Sequence, residues 1–505
     1  MRCFRSVSFL ACLIIIIALG VLPSAFFAAP RSASNPMPHP EFAQAEAPKA
    51  MFGKAVDYST VNVQPDAIAA IDVNRDGKVD LVVLNSCVGY NNCPNGTAAL
   101  LLGNGDGTFQ SAVTYNSGGT PALNMVAADM NGDGRPDLII ENGNNIAVLL
   151  GNSNGTFQPA VITSISGIGG LAVADMDGDG KLDAVVTTAT GIAVLFGNGD
   201  GTFQPPVTTT TPIAGSPLGV GDLNGDGIPD AVIVTSQGST DSRIDGTVAV
   251  LLGNGDGSFQ NPNDYDCQGF NPQQLVIADL ANVDGKPEDI LVVNQIGRKN
   301  GSTGNVGEFI NDGKGDFQTA VAYPGGHNAF GVAVGDLNGD GTPDLAVSTG
   351  RNVALVITNG QLLHLSGTDG GAGMVIADFN GDGMPDLASA TCINFGGCST
   401  GEAAVYLAKP DKSKTTVTTS GSPSTVGQPV TFTATVSSSR GPAPDGQTIT
   451  FLDGNKSLGT APTTGGVAQF TTSSLQAGTH TIKAKFGGCA FFKASEGTVK
   501  QVVNP

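Results

Sequence analysis

Tryptophan is absent from this 505-residue chain, and tyrosine occurs only six times. Aromatic platforms of the kind that sugar sites use are therefore scarce. Histidine occurs four times, at His39, His327, His364 and His480, and none stands in a motif for acid–base or metal catalysis. Charged residues make up only 13% of the chain, and basic residues are the rarer sign: 24 Lys and Arg against 44 Asp and Glu, a net charge of −20. That balance excludes nucleic acid and anionic membranes as natural partners. A phosphate-binding loop is missing. The one nucleophile-elbow match, "GNSNG" at 151–155, aligns with glycine-rich turns elsewhere in the chain, so it is expected to be a hairpin. The sequence is read as a non-enzyme.

What is abundant is glycine, 71 residues, with 29 prolines and 40% hydrophobic residues, enough for a core. The N-terminus carries Arg2 and Arg5, then an apolar run from Phe9 to Leu22, then Pro23 and small residues. It is expected to be a signal peptide over 1–29, followed by a flexible leader over 30–50. The mature chain is then expected to be exported, secreted or displayed at the cell surface, with no membrane span.

An Asp-rich motif recurs seven times: "DVNRDGKVD" (72–80), "DMNGDGRPD" (129–137), "DMDGDGKLD" (175–183), "DLNGDGIPD" (222–230), "DLANVDGKPED" (279–289), "DLNGDGTPD" (336–344) and "DFNGDGMPD" (378–386). The copies start 42 to 57 residues apart, a period that signals a propeller or a solenoid. Within each unit an apolar stretch enters the motif and a second leaves it. A third ends in a Gly/Asn turn such as "GNGDGTF", and a fourth follows. This pattern predicts a four-stranded antiparallel meander, hence an all-β, seven-bladed propeller over 51–409. The seventh unit lacks its fourth stretch, while "FGKAVDY" (52–58) precedes the first, so the N-terminal strand is expected to complete the last blade.

Each motif spaces oxygen donors around a point, as a hard cation such as Ca²⁺ requires. The expected ligands are Asp72, Asn74, Asp76, Lys78 and Asp80; Asp129, Asn131, Asp133, Arg135 and Asp137; Asp175, Asp177, Asp179, Lys181 and Asp183. They continue with Asp222, Asn224, Asp226, Ile228 and Asp230; Asp279, Asn282, Asp284, Lys286 and Glu288; Asp336, Asn338, Asp340, Thr342 and Asp344; Asp378, Asn380, Asp382, Met384 and Asp386. Position seven contributes its backbone carbonyl. Ile140 stands at position 12, where an EF-hand needs a bidentate Glu, and both flanks are β-like, which excludes the sensor. The third copy, with Asp177, is expected to bind tightest, and the fifth, with an insertion, to be weak. The 22 Asp of these copies are half of the 44 acidic residues, and seven divalent ions would add +14 and bring −20 to −6.

The motif, spacing and count resemble the FG-GAP/VCBS repeats, best known from the propellers of integrin α subunits. The resemblance implies a calcium-stabilised binding or adhesion module. After a linker at 410–414 the composition shifts to Thr, Ser and Val. Alternating stretches over 415–505 predict a β-sandwich, and they resemble bacterial Ig-like repeat domains. That domain is read as a spacer.

Long loops between second and third strands fall in units one, four, five and seven, on the face opposite the metal loops, and are the expected recognition surface. Two of them carry cysteine pairs, Cys87/Cys93 and Cys392/Cys398, expected as local disulfides. The expected partner is an extracellular protein or glycan bound by a monomer. Tyr90, Tyr265, Phe270, Tyr323 and Phe395 are the loop aromatics available to a lectin-like alternative, or to an accessory module of extracellular polysaccharide processing.

Overall fold

The second Asp-rich unit shows how one repeat becomes a blade. Its strands Asn124–Ala128, Asp137–Glu141, Asn145–Leu149 and Val161–Ser164 pair in sequence order, each antiparallel to the last. The two middle strands are almost wholly buried, and the outer one is largely exposed. That gradient is why the middle strands read as continuous apolar runs, "DLII" and "IAVLL": a neighbouring blade covers each of their faces.

The computed structural model describes residues 51–86, 95–211, 215–236, 245–280, 288–297, 303–318, 321–339, 341–350, 353–356, 362–365, 371–392 and 400–505. The expected signal peptide and leader lie outside the described residues. So do most of the long loops in units one, four, five and seven.

Seven such blades form the propeller. Blades four and five are joined by one strand, Asn263–Ala278, which is the outer strand of one and the inner strand of the next. The sixth unit, whose Gly-rich hairpin is missing from the sequence, still makes a fourth strand at Leu362–Leu365. The last blade is completed by the N-terminal strand Val56–Ser59, antiparallel to Gly401–Tyr406 with Val56 opposite Val405. A further bridge joins Phe52 to Ala408. Inner strands of neighbouring blades touch all the way round, including Pro65–Ile71 of the first against Gly371–Ala377 of the seventh. The ring is closed.

The hydrophobic clusters lie between blades. Ile139 and Val148 of blade two pack with Leu171, Val186 and Leu195 of blade three, all at most 6% exposed. Each such side chain contributes roughly 1.5–3 kcal/mol by leaving water.

The C-terminal domain is a sandwich of two sheets. One holds Lys414–Thr419, Val430–Ser438, Gly441–Pro442 and Val467–Thr472. The other holds Ser424–Thr425, Thr448–Asp453, Lys456–Pro462, Gly478–Phe486 and Ser495–Asn504. Phe432, Phe451, Ile449, Ile482 and Phe486 fill the space between them.

Candidate metal loops

In "DMNGDGRPD" the Asp129 carboxylate accepts the backbone N–H of Asp133 (3.1 Å) and of Gly134 (2.6 Å), and the Asn131 side-chain oxygen accepts the Asp133 N–H (2.9 Å). Gly134 has φ 79°, a left-handed turn that glycine takes without strain. The same bonds from position one recur in the first, third, fourth and seventh copies. These loops are therefore wound by their own backbone before any ion is considered.

Position nine is buried and opens the second strand. Asp137 accepts N–H from Met130 (2.9 Å) and from Gly151 of the hairpin (2.7 Å). Asp80, Asp183 and Asp230 do the same with Val73 and Gly103, Met176 and Gly197, and Leu223 and Gly253. Burial pushes Asp80, Asp137, Asp183 and Asp230 up to about 6 and Asp386 up to about 7. The two N–H bonds oppose the rise, and the neighbouring loop carboxylates add to it.

Position five turns to its own basic neighbour. Asp133 pairs with Arg135 at 2.8 Å, Asp179 with Lys181 at 2.7 Å and Asp76 with Lys78 at 3.3 Å. These pairs are partly exposed and hold weakly. In the third loop, carboxylate oxygens of Asp175, Asp177 and Asp183 lie within 4.8 Å of one another. An oxygen-only set converging on one point, with a buried carboxylate whose charge burial disfavours, fits a hard divalent cation. Asp175, Asp177, Asp183 and the Lys181 carbonyl would hold it there.

Two copies depart from the pattern. In the fifth, Asp289 and not Glu288 occupies position nine: Asp289 pairs with Ala278 as Asp137 pairs with Ala128, and its carboxylate accepts the Asn311 N–H at 2.8 Å. The insertion is thus two residues long, and Glu288 falls one position before the buried carboxylate. Asn282, Asp284 and Lys286 are outside the described residues. In the sixth, Asn338 is 3% exposed and its N–H turns inward to Asp344 at 3.2 Å. Asp340 there is outside the described residues.

Residues passed over in the motif have a structural task. Position two is always apolar, and it meets the phenylalanine that follows the next blade's hairpin. Val73 clusters with Phe157, Met130 with Phe203, Met176 with Phe259 and Leu223 with Phe317. Phe379 and Phe109 stack edge to face at 5.5 Å across the closure. The signal was in the sequence, as an apolar residue one step inside every motif and a Phe after most hairpins.

The aromatics expected in loops are placed differently. Tyr265 and Phe270 lie in the long strand Asn263–Ala278, and Tyr323 in Val321–Gly326. Tyr265 packs edge to face on Phe309 and Phe317 and accepts the Phe317 N–H, while Tyr323 donates to Glu308. Tyr265 and Tyr323 are thus strand residues committed to packing, in strands whose pairing carries register shifts. Tyr90 and Phe395 are outside the described residues, as are Cys87, Cys93 and Cys398; Cys392 ends the strand Asp386–Cys392. Ser153 of "GNSNG" sits in a hairpin closed by Gly151 opposite Phe157. Among the described residues, no helix is long and apolar enough to cross a membrane.

The model of the FG-GAP-like repeat matches residues 72–140, 129–186, 175–233 and 281–347, and that of the bacterial Ig-like domain (group 3) matches 417–504. No curated protein matches the chain. Among solved structures, the chain is similar to an Agrocybe aegerita lectin that recognises non-reducing terminal N-acetylglucosamine. Identity there is 20%, coverage 63% of this chain and 92% of that one, and TM-score 0.41. It is also similar to the V. cholerae biofilm matrix protein Bap1, with 15% identity, coverage 69% and 88%, and TM-score 0.41. The chain is an FG-GAP-repeat propeller followed by a bacterial Ig-like domain.

Proposed function

We propose that this is an extracellular binding or adhesion protein whose propeller is held by calcium and recognises its ligand on the face opposite the metal loops. One observation carries the reading: the Asp-rich loops sit at one end of the blades and are built into the seams between them, through position nine and position two. A cation there has a structural task, and the other end is left for recognition. Exchanging the loops at 87–94 and 393–399 for the short turn of blade two, then measuring adhesion to a surface that the parent protein coats, tests this. Lost adhesion with unchanged melting supports the reading, and full adhesion refutes it.

A second reading is carbohydrate binding. A groove of 620 Å³ between the outer strands of blades one and two is lined by Tyr115 and Phe157, by apolar residues such as Leu149 and Ile162, and by the polar Asn116 and Gln158. A glycan array with the parent chain and Tyr115→Ala separates the two readings: sugar signals lost in the variant favour this one.

A further inference from the structure

The C-terminal domain touches the propeller at two places that matter to the ring. The first is its closure. The Arg440 guanidinium donates to the Lys409 carbonyl at 2.7 Å and to the Met51 carbonyl at 3.4 Å, and Lys409 N–H itself donates to Met51 O at 2.8 Å. Met51 enters the N-terminal strand and Lys409 leaves the strand it pairs with. One half-buried side chain of the Ig-like domain thus holds both ends of the ring. The chain between the domains is held as well: Asp411 N–H donates to Phe491 O, Lys493 N–H to Asp411 O, and the Asp411 carboxylate accepts from Ser439.

The second place is the pair of loops in blades six and seven. Phe491 lies over Gly339, where a Cβ would come within 2.5 Å of the ring, and Ala490 lies by Gly383. Ala490 and Phe491 join a core cluster with Met51, Phe52, Leu337, Met384 and Tyr406. Position seven fits the seventh loop to this contact. It is Lys78, Arg135 or Lys181 in the first three loops, reaching to its own Asp, but Met384 in the seventh, only 2% exposed.

We infer that the Ig-like domain is a latch on ring closure and not a free spacer: seated through Arg440 and Phe491, it holds blade seven shut. The Arg440 half of the latch binds backbone carbonyls at the strand ends, outside the Asp-rich loops, so it is a contact separate from any bound cation.

The test uses the full chain. All six tyrosines lie before residue 410 and tryptophan is absent, so tyrosine fluorescence reports propeller melting alone. Lys412 and Lys414 offer trypsin sites at the junction, whereas Lys409 precedes Pro410 and is not cut. Met384→Lys installs the residue that two other loops already carry, so the loop itself tolerates it. Phe491→Ser and Arg440→Gln break the latch from the other side. Ile228→Lys is the same change in blade four, away from the junction. The latch predicts about tenfold faster cleavage at Lys412 and Lys414 in the first three variants, with a lowered tyrosine-detected melting point, and neither effect in Ile228→Lys. Parental cleavage and melting in Met384→Lys and Phe491→Ser would overturn it. So would an equal effect in Ile228→Lys.

Discussion

In the Ig-like domain one cluster, with Phe432, Phe451 and Phe486 at its centre, is closed between two sheets. In the propeller the clusters belong to the seams: blade two shares Ile139 with blade three, and Leu138 with blade one. The sandwich owns its core, and the blade borrows half of one from each side. A blade therefore has no stability apart from its neighbours. The acidic loops lie where the borrowing occurs, whereas the sandwich has no such loop and rests on packing alone.

The largest effect that would sharpen this contrast is metal removal. Calcium at about 100 times Kd stabilises a folded state by about 2.7 kcal/mol per site. EGTA should lower the tyrosine-detected transition by several such steps and reach the sandwich only through the latch. An unchanged transition would remove calcium from the account of the propeller.

Core truncation comes next. Phe157→Ala and Phe432→Ala should each cost about 3–5 kcal/mol. The first should appear in the tyrosine signal; the second should appear in calorimetry as an earlier sandwich transition. If Phe157→Ala melted blade two alone, as a separate step, the borrowed-core description would be broken.

Asp137→Ala should cost about 2–4 kcal/mol, because it leaves two buried N–H groups without acceptors. Denaturant titration in EGTA should retain that loss, since those bonds need no ion. A variant that is silent in EGTA would show that Asp137 acts only through metal.

The smallest effect is a pH slope confined to the sandwich. The Gln476 carbonyl and the Asp453 carboxylate, 2.7 Å from the imidazole, raise the His480 pKa above its usual 6.5. The folded state then holds the proton more tightly than the unfolded chain. This contribution is complete below pH 6.5 and is lost as pH rises through the raised value. It is worth less than about 1 kcal/mol at so shallow a site. Calorimetry across that range should show the slope in the parent and none in His480→Gln.

Much of this was legible in the sequence because repetition supplies its own control. Seven motif copies in phase gave blade count, strand order and the N-terminal strand that closes the ring. The fifth copy was misread because an insertion hides register: only pairing with Ala278 identifies Asp289 as the buried carboxylate. Tyr265 and Tyr323 stand in strands of irregular register, whose pairing no simple alternation reveals. The latch was beyond reach. Met384 and Phe491 meet only through the relative placement of two domains, which no periodicity encodes.

Closure by the N-terminal strand sets the order of events at the ribosome. Val56 is among the first described residues to be made, and its partner Val405 comes almost 350 residues later. The earlier blades can stack as they appear, but the first strand must wait for the last blade, and joining so distant a pair carries a large loop-closure cost. The ring is thus completed only after nearly the whole propeller has been synthesised, and until then a strand edge stands open for pairing with another chain.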